Sequence, residues 1–155
     1  MFSETAGPVI VSACLVGVRC NHKGAASPSA VVQGLAATRQ LIPICPEVAG
    51  GLAIPRPAAE LQADGRVVTG SGDDVTSAYE RGAAAAVSVA LAAGAVSAVL
   101  KARSPSCGCH QVYDGTFSRT LVEGEGVTAA ALRAAGVAVQ SEEDLGGSPG
   151  PAPLP

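Results

Sequence analysis

Three apolar runs, far apart in the chain, each lead into a cysteine, and this constrains the fold more than any other feature. Residues 8–13 (PVIVSA) end at Cys14 and residues 41–44 (LIPI) end at Cys45. Residues 95–101 run into 103–109 (RSPSCGC), which carries Cys107. Each run is short and aliphatic on successive positions, the pattern of a strand buried on both faces. Helical stretches separate them. Ser27 and Pro28 read as the N-cap and first residue of a helix over 28–39. Asp73 or Asp74 can cap a helix over 75–93, with Gly94 as its stop. A helix over 128–135 ends at Gly136, and 137–140 form a last short strand. Residues 46–61 hold too much Pro and Gly for one regular element and read as a covering loop. Residues 66–69 read as a short strand, and 112–118 as a small hairpin turning at Asp114 and Gly115.

Strands alternating with helices predict an α/β protein: a single Rossmann-like, three-layer domain with a mostly parallel sheet over residues 1–145. The last ten residues, GGSPGPAPLP, read as a disordered Gly/Pro-rich tail. Ligands of such sheets bind outside the carboxyl ends of the strands. Cys14, Cys45 and Cys107 are therefore expected to converge at one sheet edge.

Composition narrows the classes. Of 155 residues, 48% are hydrophobic, but only two are Phe, two Tyr and none Trp. The core must be built from Ala, Val, Leu and Ile, and a base-stacking nucleic-acid platform is excluded. A net charge of −3 disfavours a general phosphate-backbone binder. The uncharged run 82–100 is as long as a membrane span, but it is Ala-rich and divided by Gly94 into a helix and a strand. No basic leader precedes the first apolar run, so no signal peptide is expected and a cytoplasmic protein is. Five cysteines, an odd number without a Cys-x-x-Cys pair, do not suggest a disulfide scaffold.

Three converging thiols leave one position of a metal site open, whereas structural zinc is closed by four ligands. Soft thiolates select zinc, copper(I) or an iron–sulfur cluster. An iron–sulfur cluster is chemically natural here, with three thiolates on three irons and a fourth iron free. Glu47, two residues after Cys45, is a candidate general acid or base beside such a site, or a surface carboxylate after Pro46. Ser104 and Ser106 flank Pro105 before Cys107, as turn residues or as hydrogen-bond donors to a ligand. Gly108 permits close backbone approach to whatever Cys107 holds.

Several segments together resemble a known family. They are VSACLVGVRC (11–20), ICPEVAGG (44–51), PRPAAE (55–60), KARSPSCG (101–108) and YDGTFS (113–118). The family was long catalogued as a domain of unknown function, and some members are recognised as thiouracil desulfidases. The resemblance spans roughly residues 9–142. It implies a [4Fe-4S] cluster on Cys14, Cys45 and Cys107, a catalytic Glu47, and Ser104 as the catalytic serine with Ser106 as the second candidate. It further implies that the thiocarbonyl sulfur of a thiolated uracil is removed as sulfide by water, without net electron transfer. The substrate would be a small thiolated pyrimidine, with no membrane and no stable nucleic-acid partner. The sequence leaves the oligomeric state open, a homodimer included.

The family usually continues Arg-Tyr-Asp-Gly after the position of Cys20, and here the residues are Asn21, His22, Lys23 and Gly24. Cys20, Cys109 and His110 receive no role from the resemblance. Arg56, Lys101 and Arg103 would suit a nucleotide's phosphate if they face the site, and a free base if they do not. Two rival readings remain at this point. One is a zinc-dependent nucleobase hydrolase or deaminase, for which Cys45-Pro46-Glu47 fits but the required Pro-Cys-x-x-Cys is missing. The other is a non-enzymatic iron–sulfur or thiol sensor, or a sulfur carrier.

Overall fold

A computed structural model describes residues 7–146. Four parallel strands form the central sheet: β1 (Val9–Ser12), β2 (Leu41–Ile44), β5 (Ser97–Leu100) and β8 (Ala138–Ser141), in the order β2-β1-β5-β8. Val9 pairs with Leu41 on one side and Ser97 on the other, and Ser97 pairs with Ala138. The chain lays β2 beside β1, then crosses to β1's other edge to add β5. The order therefore reverses between β1 and β5, and an open parallel sheet has its ligand crevice at such a reversal.

Both faces of the sheet are covered, which is why β1 is fully buried along its length. Ile10, Ala98, Leu100 and Val139 pack against Ala86 and Ala90 of α3 (Thr76–Ala93) and Ala129 and Leu132 of α4 (Val127–Ala134). Val9, Val11 and Val99 pack on the other face with Val32 of α1 (Ala30–Gly34) and Leu145 of α5 (Glu142–Leu145). The core is thus aliphatic, as the shortage of aromatics demands. The long uncharged run divides where Gly94 takes a left-handed conformation at φ 68° and closes α3. No helix among the described residues is long and apolar enough to cross a membrane.

Several elements differ from the expectation. The first helix starts at Ala30 rather than Pro28, because the backbone N–H groups of Ser27 and Ser29 donate to the carbonyls of Cys14 and Leu15. Ser29, not Ser27, is the cap, its hydroxyl accepting from Val32 N–H at 3.3 Å. The segment from residue 46 is not wholly a loop. Pro46 opens a short helix, α2 (Pro46–Ala49), in the position where its missing N–H costs nothing. Further on, β3 (Ala59–Leu61) pairs antiparallel with β4 (Val67–Thr69). The hairpin pairs β6 (Gln111–Tyr113) with β7 (Leu121–Glu123), so its loop is longer than the two residues Asp114 and Gly115. Glu60 draws that loop towards β3 by accepting from Gly115 and Phe117 N–H. Finally, α5 was not expected; Ser141 and Asp144 cap it reciprocally. Of the expected tail, residues 147–155 lie outside the described residues.

Candidate metal-cluster site

The three cysteines come together above the reversal point. Cys14 sits in the 3-10 turn Ala13–Val16 that follows β1. Cys45 directly follows β2 and is the N-cap of α2, but its sulfur does not cap the helix; it donates to the Cys20 carbonyl at 3.7 Å. Cys107 follows β5 in a turn fastened to α4. Val127 N–H donates to the Pro105 carbonyl, and Thr128 and Ala129 N–H to that of Ser106. The first N–H groups of a helix lack partners within it, so this loop caps α4 while α4 fixes the loop.

Each thiol lies in the electrostatic field of the others. Burial pushes Cys14 up to about 11, opposed by the Lys101 ammonium and reinforced by Cys45. Burial pushes Cys107 up to about 12, opposed by a hydrogen bond from Ser12 and reinforced by Glu47, Cys14 and Cys45. Cys20 lies beside the group: burial, then its neighbour Cys45, push it up to about 12. All five cysteines are free thiols. Cys14 and Cys107, pushed up by burial, stay protonated until a metal takes the proton's place.

That donor set fits an iron–sulfur cluster. Three thiols from separate strand ends are soft donors, each able to take a different iron of a cluster.

Glu47 stands at the first turn of α2 and is not a free surface carboxylate. Arg56 Nε donates to Glu47 Oε1 at 2.9 Å, and the two side chains are only 6% and 15% exposed. Arg56 also donates to the carbonyls of Cys20, at 2.8 Å, and Ala53. Burial alone would lower the Arg56 pKa, but the charge and hydrogen bond of Glu47 outweigh it and raise it. Buried Tyr79 of α3 lies near the same carboxylate; burial first, then the charge of Glu47, push its hydroxyl far up.

The two serines separate. Ser104 Oγ accepts from the N–H groups of Ser106 at 3.1 Å and Cys107 at 3.0 Å, while the side chain stays partly open. Its own proton is free to be donated outward. Ser106 is 1% exposed, and its hydroxyl is paired with Thr128 Oγ1 at 2.8 Å.

The cations are committed. Lys101 pairs with Glu142 at 3.3 Å and Arg103 with Glu143 at 2.8 Å, as Arg56 does with Glu47. His22 is an exposed side chain whose pKa is lowered by partial burial and then by Lys23. Tyr113 lies in the field of Arg103, and Phe117 rests against the position of Gly70.

Sequence reasoning did not single out Ser12, Tyr79 or a pairing of Arg56 with Glu47. Ser12 carried a signal, since it ends a strand two residues before Cys14. Tyr79 sits mid-helix, where nothing local marks it.

Three comparisons show which known proteins the chain is similar to. The family model described as 2-thiouracil desulfurase matches residues 9–144. A solved structure of a [4Fe-4S]-dependent thiouracil desulfidase, TudS, is 44% identical, with a TM-score of 0.83, covering 90% of this chain and 93% of its own. An uncharacterized Bacillus subtilis (strain 168) protein, YbbK, is 39% identical over 146 aligned positions, covering 88% of this chain and 97% of its own.

Proposed function

The chain belongs to the 2-thiouracil desulfurase family, and from that premise we propose that it is a [4Fe-4S]-dependent desulfidase. It removes the sulfur of thiolated uracil as sulfide, with the cluster on Cys14, Cys45 and Cys107. The observation that carries the reading is the convergence of these thiols, from the ends of three parallel strands, beside a buried and held carboxylate.

When bound, the cluster supplies an open iron that acts as a Lewis acid towards the thiocarbonyl sulfur. The protein's residues supply the rest. Glu47 takes a proton from the water that attacks the carbon bearing sulfur. Arg56 fixes the direction of its carboxylate while that proton moves. Ser104, with two N–H groups already bonded to its oxygen, donates its proton towards substrate or leaving sulfur. The overall change is thiocarbonyl plus water to carbonyl plus hydrogen sulfide, and no electrons are gained or lost.

The free base is the preferred substrate over a nucleotide. A phosphate would need an available cation, and Arg56, Lys101 and Arg103 are each engaged by a carboxylate. The protein acts in the cytoplasm, where thiols stay reduced.

The test is to purify the protein anaerobically, count iron, sulfide and zinc, and measure sulfide release. The substrates are 2-thiouracil, 4-thiouracil and 4-thiouridine monophosphate. About four irons per chain and release from a free base is the expected result. Zinc without iron would return the zinc-hydrolase reading. An intact cluster without sulfide release from any of the three would favour a sensor or carrier.

A further inference from the structure

Cys109 and His110 follow the cluster cysteine closely, yet the desulfidase reading gives them no work. Charged side chains other than the cluster ligands act on Cys109. The groups whose charges reach its buried sulfur are Asp144, Arg133, Glu142 and Glu125, on the α4 and α5 side. His110 is exposed and reaches Asp144, with Nε2 and Oδ2 2.7 Å apart. Cys109 Sγ, a ring nitrogen of His110 and a carboxylate oxygen of Asp144 all lie within 4.8 Å of one another. A small cavity of about 30 Å³ borders Cys109 and His110 but not Asp144, and Arg103, paired with Glu143, also lines it.

We propose that Cys109, His110 and Asp144 form a second metal site, for a single divalent ion of zinc's class, separate from the cluster. One thiolate, one imidazole and one carboxylate are a donor set that zinc accepts, with water as the fourth ligand. The His110 and Asp144 donor atoms, 2.7 Å apart as a hydrogen bond, must part to take separate positions on one ion. His110 is 58% exposed at its side chain and Asp144 31%, so both have room to move. The outer support is already present: Ser141 N–H donates to Asp144 Oδ2 at 2.8 Å, orienting the carboxylate as partners of metal ligands do. Binding replaces the His110–Asp144 hydrogen bond and releases the Cys109 thiol proton to solvent, with no change of oxidation state.

Zinc also wins this site from the iron the protein handles, because N/O/S donors hold Zn²⁺ more tightly than Fe²⁺. The ion would pin the turn that carries Cys107 to α5, and so hold one corner of the cluster site from behind. The geometry stands whether or not the cluster reading is right, and the test keeps the two apart.

The anaerobically purified holoprotein is titrated with zinc, passed over a desalting column, and assayed for zinc and iron. The same is done for H110A, D144A and C109S. The zinc edge is then examined by X-ray absorption. The expected result is one zinc retained per chain at unchanged iron, with one sulfur in its coordination sphere and a raised Tm. H110A and D144A should weaken retention by about 100-fold or more, a scale that loss of outer-shell partners alone can reach. H110A removes an exposed side chain, so it serves even where C109S fails to fold. No retained zinc, equal retention by H110A, or zinc gained only as iron is lost would each overturn the proposal. Iron content and sulfide release speak to the desulfidase reading alone.

Discussion

Gly82→Ala should damage the enzyme although it puts a better helix former inside α3. In an exposed helix interior this change is worth about 1 kcal/mol of added stability. Gly82 is not in such a place. A Cβ there would overlap the Pro46 carbonyl oxygen and stand 2.6 Å from the carbonyl carbon and 3.2 Å from Cα. Gly50 meets the Ala78 backbone in the same way from the other side. The two helices therefore touch backbone to backbone, with Arg81 tying α3 to the Gly50 carbonyl at 3.0 Å. Carbon atoms rest at ~3.5–4.0 Å, so α2 must retreat by roughly 1 Å to admit the methyl. Overpacking of this kind costs about 1–3 kcal/mol, which exceeds the propensity gain. The shift falls on Cys45 and Glu47, and a misplacement near 1 Å is worth about 10²-fold in rate. Gly34→Ala is the control: Gly34 is helical at φ −64° and nothing lies within 4 Å of its added Cβ. That variant should gain about 0.4–1 kcal/mol. Thermal unfolding and sulfide release, measured on both variants and the parent, decide the matter. A Gly82→Ala protein with a raised Tm and undiminished turnover would refute the close approach and the reasoning built on it.

Other substitutions divide holding from chemistry. Glu47→Gln should keep iron and sulfide at parent levels while sulfide release falls by about 10²–10⁴-fold. Cys45→Ser should lose the cluster, and full iron with full activity in that variant would remove Cys45 from the ligand set. Ser104→Ala should lower turnover and Tm together, because the N–H groups of Ser106 and Cys107 lose their acceptor. Ser106→Ala should lower Tm alone, costing about 1–3 kcal/mol for the buried Thr128 hydroxyl it abandons while leaving turnover near the parent's. Arg56→Met should cost about 3–5 kcal/mol by leaving the Glu47 carboxylate buried without its partner, read as a lowered Tm.

The layout of the sheet was legible because buried parallel strands are written as continuous aliphatic runs. Residues 41–44 were located to the residue, and the strands ending near Cys14 and before Cys107 to within a few positions. Gly94 marked the end of α3 because only a residue tolerant of positive φ ends a helix that way. What escaped the sequence was decided by tertiary contact. Ser27 and Pro28 carry a helix-start signal, but hydrogen bonds to the Cys14 turn from the N–H groups of Ser27 and Ser29 keep them out of the helix. The loop at Asp114 and Gly115 looks like a tight turn until the distant Glu60 carboxylate is counted. For α5 the signal was present, since Ser141 and Asp144 have capping-box spacing.

The same distinction governs the site. Three thiols at strand ends are a statement about topology, so the sequence carries it. The environment of Glu47 is a statement about packing. Arg56 arrives from the Pro-rich segment, and Tyr79 arrives from a helix that reaches α2 only because Gly50 and Gly82 let two backbones meet. A cation that reads in the sequence as a phosphate anchor is, in the fold, spent on orienting a carboxylate. Lys101 and Arg103 are likewise taken by Glu142 and Glu143 of α5. The unforeseen helix α5 thus supplies the carboxylates that engage two of the cations the sequence offered to a nucleotide's phosphate. Replacing Glu143 by Gln should free Arg103 and shift preference towards 4-thiouridine monophosphate; unchanged relative rates for base and nucleotide would place Arg103 outside substrate recognition.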